Sequence, residues 1–131
     1  RLTRPRSVLS ISTGTNDLCC GRWTNGSHQL HYLSTYVGFA RSVAAQYPES
    51  TPFFLAHGPM TDNYKPMLEL VRSRLLQYGL RVYMLDLYLG PDYSVDNGKP
   101  GGGGCEGHPS ADTHQLVFQK ALPQLQKVLK W

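Results

Sequence analysis

The run Pro52-Phe-Phe-Leu-Ala-His57 is apolar at nearly every position and is stopped at once by Gly58-Pro59. A strand with one wet face alternates polar and apolar side chains, so a strand apolar throughout needs a cover on both faces. This segment therefore reads as a short, buried parallel strand. Such a strand requires helices above and below it and commits the chain to a layered α/β architecture.

The flanking patterns supply those layers. Ser7-Val-Leu-Ser-Ile-Ser12 alternates and ends near Gly14, which reads as a strand, and positions 13–26 form a loop rich in Gly, Asn, Cys and Thr. From Ser27 onward Leu30, Leu33, Val37, Ala40, Val43, Ala44 and Tyr47 recur at helical spacing, with Asn25 or Ser27 as N-cap and Pro48 beyond the end. Asp62 suits the N-cap of a second helix that turns Met67, Val71, Leu75 and Tyr78 to one side, and Gly79 stands where a C-cap glycine belongs. Leu80 to Leu85 is a third strand. A long loop over 90–107, with four consecutive glycines at 101–104, leads to a last helix from about Ser110. That helix carries Val117, Phe118, Ala121, Leu125 and Val128 on one face, and Pro123 is expected to kink or split it.

The order β-α-β-α-β-loop-α predicts a parallel sheet flanked by helices. Three strands make a poor complete domain of this kind, so further N-terminal strands are expected outside these residues. The opening Arg1 to Arg6 runs almost directly into a strand and reads as a cut through a longer protein. Residues 1–131 are then the C-terminal part of a single domain. Ligands in such folds lie beyond the carboxyl ends of the strands, which singles out the loops at 13–26, 57–62 and 86–109.

Composition removes several alternatives. At 131 residues with 40% hydrophobic and 17% charged positions, the chain is globular, and no apolar run approaches the roughly 20 residues of a membrane span. The net charge of +4 comes from scattered bases without a nucleic-acid-binding motif, which argues against a nucleic-acid partner. Cys19, Cys20 and Cys105 match neither a disulfide framework nor a zinc site; a bridge to Cys105 and three reduced thiols both remain open.

Two loop motifs carry chemistry. In Gly14-Thr15-Asn16-Asp17 a side-chain amide at a strand end can donate N–H to a developing oxyanion, with glycine permitting the turn and Asp17 bracing it. In Gly104-Cys105-Glu106-Gly107-His108-Pro109 a histidine before the last helix, restrained by proline, suits a general base. Taken singly, a plain turn and a loop histidine explain these segments as well. His114 reads as a helix histidine packing back against the loop. His57 either lines a pocket rim or faces solvent from a turn, Trp23 and Tyr93 either stack on a sugar ring or are loop aromatics, and Asp86 reads as a solvated turn carboxylate.

Together and in this order, the motifs resemble the SGNH (GDSL-like) hydrolases. Gly14-Thr-Asn-Asp17 resembles that family's third block and His108-Pro109 its fifth. Carbohydrate esterase family two is the nearer likeness, through Gly104-Cys105, His108-Pro109, His114 and the Lys130-Trp131 ending. The resemblance implies a flavodoxin-like three-layer α/β/α fold with a parallel sheet, lacking its N-terminal strands here. It also implies a serine esterase acting on O-acetyl or short acyl esters, on carbohydrate, in a secreted or extracellular setting, with no metal and no cofactor. Asn16 would be the oxyanion donor and His108 the base.

Two departures stand out. Most of the superfamily has Asp three residues before the histidine, where this chain has Cys105. A backbone carbonyl would then orient His108 in a Ser-His dyad, unless Glu106 or Asp112 approaches from the side. The Gly-Asp-Ser nucleophile block is absent from these residues, so the serine is expected on a missing N-terminal segment or a separate chain. A Cys-His-Asn set using Cys19 or Cys20 fits no cysteine-hydrolase order. The competing reading is a catalytically inactive binding or assembly module of the same fold.

Overall fold

A computed structural model describes residues 7–13, 26–93 and 108–130. Its elements are β1 (Leu9–Ile11), α1 (Gly26–Ala44), β2 (Phe53–His57), α2 (Lys65–Gln77), β3 (Val82–Asp86), a 3-10 turn at Pro91–Tyr93, and α3 (Ala111–Leu129). The strands form one parallel sheet in the order β1-β2-β3, with Leu9 opposite Phe53 and Phe53 opposite Val82. Every residue of β2 is buried, as its composition requires.

Successive side chains of β2 point to opposite faces and so join different cores. Phe53 and Leu55 pack with Tyr36, Val37 and Ala40 of α1 and with Leu68, Val71 and Leu75 of α2. Phe54 and Ala56 pack with Leu85 and with Ala121, Leu125 and Leu129 of α3. Parallel strands added in one direction by crossovers of one hand leave their helices on the same face, which is why α1 and α2 lie together. The result is the α/β/α layering of a flavodoxin-like sheet.

Several local expectations are corrected. Leu30 is 69% exposed, and the buried face of α1 is built on Tyr32 and Tyr36 instead. Those two rings meet edge to face with centroids 5.5 Å apart, and rings of this size bury more apolar area than a leucine. The helix begins at Gly26, so Ser27 lies inside it rather than at its cap, and Asn25 falls outside the described residues. Tyr78 leaves the core and lies beneath the Arg41 guanidinium, 3.9 Å from its ring centroid. Of the kink or split expected at Pro123, the split does not occur, since α3 runs unbroken from Ala111 to Leu129. Pro123 and Gln119, whose carbonyl loses its helical donor there, are both exposed, so water can take the place of the missing bond.

Gly79 closes α2 as expected. Its N–H donates to the Leu76 carbonyl and that of Leu80 to Leu75, the double bond of a Schellman ending. Gly79 (φ 79°) and Gly58 (φ 88°) are both left-handed, but only Gly58 is crowded. A Cβ on Gly58 would come within 2.7 Å of the Leu87 carbonyl carbon and of Tyr88 Cα, whereas one on Gly79 meets nothing within 4 Å. Gly79→Ala should therefore cost about 1–2 kcal/mol, the left-handed penalty alone. Gly58→Ala should cost clearly more, because the backbone after β3 must also move. Urea unfolding midpoints of the two variants check the order.

Candidate functional site

The parallel register brings His57 and Asp86 side by side at the carboxyl ends of β2 and β3. His57 is neither a rim residue nor solvent-facing, since its side chain is 1% exposed. Its Nδ1 lies 2.7 Å from Asp62 Oδ1 and its Nε2 lies 3.8 Å from Asp86 Oδ1. Neither ring nitrogen has the alignment of a formed hydrogen bond, so the short Nδ1 contact is electrostatic rather than directional.

This contact explains why Asp62 is not the cap of α2. Tyr64 is the N-cap, without a side-chain bond, and Pro66 sits in the first turn, where the missing N–H is harmless. A side-chain cap contributes about 1 kcal/mol. The 2.7 Å contact instead holds the Asp62 carboxylate against the buried His57 ring. The Tyr64 hydroxyl is used elsewhere: it accepts the Gly58 N–H at 3.1 Å and fixes the turn that follows His57.

Asp86 is likewise no simple solvated carboxylate. Its Oδ1 accepts the Tyr88 N–H at 3.0 Å and its Oδ2 pairs with Lys120 Nζ at 2.8 Å. Burial pushes its carboxyl upward, but the Lys120 hydrogen bond, the Tyr88 N–H and the charges of Lys120 and His57 outweigh this and hold it below the ordinary range. From α3, the Gln124 side-chain oxygen accepts the Asp86 N–H at 2.9 Å and its NH2 donates to the Asp86 carbonyl at 2.8 Å. Lys120 also donates to the Tyr88 carbonyl. Side-chain partners across such distances in sequence left no local pattern to read. The only available hint was a polar, titratable residue, His57 and then Asp86, as the last residue of each of two apolar strands.

Lys120 meets the carboxyl end of β3, while Leu125 and Leu129 pack against the body of the sheet. α3 thus runs against the strand direction, and its first turns project beyond their carboxyl ends. His108 stands at that projecting end, exposed, before Ser110, whose hydroxyl accepts the Thr113 N–H at 3.2 Å as N-cap. At the other flank, the Tyr32 hydroxyl donates to the Thr13 carbonyl at 3.3 Å and ties the exit of β1 to α1. His114 is exposed in the first turn of α3. Gly14, Thr15, Asn16, Asp17, Trp23, Cys105 and Glu106, with Cys19 and Cys20, lie outside the described residues. Among the described residues no cluster suited to a metal ion occurs.

An open cleft of about 490 Å³ runs along α1, lined by Thr13, His28, His31, Tyr32 and Tyr36 among others. It shares no lining residue with the His57–Asp86 cluster, so the cavity and that cluster are separate features.

A carboxylate held low in the fold contributes stability that is complete above its unfolded value, near 3.9, and lost as pH falls through the lower folded value. Asp86→Asn should therefore be less stable than the parent at neutral pH, with the gap narrowing below about pH 4. Paired denaturant titrations at several pH values measure this, and a gap that widened on acidification would contradict the sign.

No family model matches the sequence, and no curated protein matches it either. Solved structures do match. One is a carbohydrate esterase whose active site displays divergent catalytic and non-catalytic binding functions. It is 26% identical, with a TM-score of 0.71 over 92% of this chain and 38% of its own. Another is a family two carbohydrate esterase with a carbohydrate-binding domain, from Corynascus thermopiles (Myceliophthora fergusii). It is 23% identical, with a TM-score of 0.67 over 99% of this chain and 40% of its own. The chain spans about two fifths of the length of these structures. Among the described residues no helix is long and apolar enough to cross a membrane. The chain has the SGNH-type hydrolase fold in the form its structural neighbours, the carbohydrate esterases, possess.

Proposed function

We propose that residues 1–131 are the C-terminal part of a single-domain serine esterase that removes O-acetyl or other short acyl groups from carbohydrate, with its nucleophilic serine outside this stretch. The observation that carries this reading is the place of His108, at the head of a helix projecting past the strand ends, in a fold shared with carbohydrate esterases. The serine hydroxyl attacks the ester carbonyl while His108 accepts its proton, and His108 then protonates the departing sugar alkoxide. Water repeats the cycle to release the acid. Asn16, in the Gly14-Thr15-Asn16-Asp17 motif that follows β1 in sequence, donates N–H to the tetrahedral oxyanion, which is worth a few kcal/mol per donor.

Cys105 occupies the position from which an Asp normally orients the base, so a backbone carbonyl serves that purpose and the machinery is a Ser-His dyad. The third group chiefly orients the base, and its loss need not abolish turnover. Glu106 and Asp112 are the side-chain alternatives, and Trp23 is the aromatic able to stack on a sugar. The chemistry needs no metal or cofactor. An acylated carbohydrate is the substrate, and an extracellular setting fits it.

A second reading, a sugar-binding module without turnover, is favoured by Cys105 and by the binding function ascribed to one structural neighbour. Hydrolysis of p-nitrophenyl acetate by the full-length protein separates the two. His108→Ala should lower kcat by about 10²–10⁴-fold, and Asn16→Ala by about 10²–10³-fold. Parent-like activity in His108→Ala defeats the assignment, and sugar binding without any hydrolysis by the parent supports the module.

A further inference from the structure

α3 is attached to the sheet in two unlike ways. Its second half is held by Ala121, Leu125, Val128 and Leu129 against Phe54, Ala56 and Leu85. Of positions 111–119, only Thr113 is buried. At the boundary stand Lys120 and Gln124, one turn apart and both bonded to the end of β3.

Apolar contact is non-directional and tolerates sliding, whereas hydrogen bonds of this length fix position. β3 is an edge of the described sheet, and the Gln124 amide supplies one donor and one acceptor to Asp86, as a neighbouring strand would. Its NH2 also donates to the Lys120 carbonyl at 2.8 Å, which locks the side chain to its own helix. Asp86 is itself held by the Tyr88 N–H and stands beside the buried His57, which contacts Asp62. Negative carboxylates and basic groups thus alternate from α2's leading loop, across two strand ends, to α3.

We propose that Lys120, Gln124 and Asp86 are positioning residues that set the height of α3 on the sheet and thereby place His108 for proton transfer. This rests on the assignment of His108 as the base. From Lys120 to Ala111 the helix is a rod of roughly 14 Å at 1.5 Å per residue. Ser110 caps it and Pro109 restrains the His108 backbone, so a displacement at Lys120 is carried to the segment that bears the imidazole. Slippage by one residue would exceed the roughly 1 Å misplacement that can cost 10²-fold in rate.

The test uses the full-length protein and p-nitrophenyl acetate. Lys120→Met and Gln124→Leu should each lower kcat about tenfold with KM unchanged. Lys120→Arg should recover most of the loss, and the exposed Lys127→Met should match the parent. Hydrogen exchange should show amides 111–118 losing protection in Lys120→Met while 121–129 keep theirs. Lys120→Met and Gln124→Leu with kcat within about twofold of the parent, alongside an inactive His108→Ala, would overturn the positioning role and leave the esterase reading standing. A loss of kcat equalled by Lys127→Met, or uniform deprotection of α3, would overturn it as general destabilisation. Full activity in His108→Ala would remove the underlying reading itself.

Discussion

β2 has no face open to water, and the other layers follow from that condition. Phe53 and Leu55 on one side and Phe54 and Ala56 on the other are each buried to within about 1% of complete exclusion. Burying a large apolar side chain contributes roughly 1.5–3 kcal/mol, and β2 collects that gain only when α1 and α2 cover one face and α3 the other. The strand's all-apolar composition, its parallel pairing on both sides and the three-layer arrangement are one constraint expressed at three levels.

The same strand ends in a histidine, which makes its carboxyl end electrostatically demanding. An imidazole buried to this degree needs polar neighbours, and it finds a carboxylate near each ring nitrogen, from a loop and from the adjacent strand. Asp86 then needs a counter-charge of its own, which Lys120 supplies from the opposite layer. A polar cluster thereby joins the two helical layers at the edge where the fold places ligands. Gly58 permits the tight passage of backbone past Tyr88 that lets the cluster close.

Much of this architecture was legible in the residues. The C-cap glycine at position 79, the start of the last helix near Ser110 and the central strand each have a local cause, such as a left-handed turn, a change of periodicity or an unbroken apolar run. The misreadings share a different cause. Leu30 fits the helical period but loses its place to two tyrosines with larger rings. Asp62 has the right chemistry for a cap, yet it turns toward a histidine five residues earlier. Pro123 lacks an N–H, yet it does not split its helix, which is held through Ala121 and Leu125 against the sheet. Of the candidate site, His108 stands exposed at the projecting head of α3. Asn16 and Cys105 lie outside the described residues.

Sequence alone determined the element order, the parallel sheet, the central strand and the two loop motifs, because each rests on short-range periodicity or backbone chemistry. Only the tertiary structure decided how His57, Asp62, Asp86, Lys120 and Gln124 meet. Their pairing depends on strand register and on the height of α3 against the sheet, and those are set by packing between segments far apart in the chain. The reading of His57 as rim or solvent-facing and of Asp86 as a solvated turn residue failed for that reason. A titratable side chain's partners are a property of the assembled layers, which no single segment encodes.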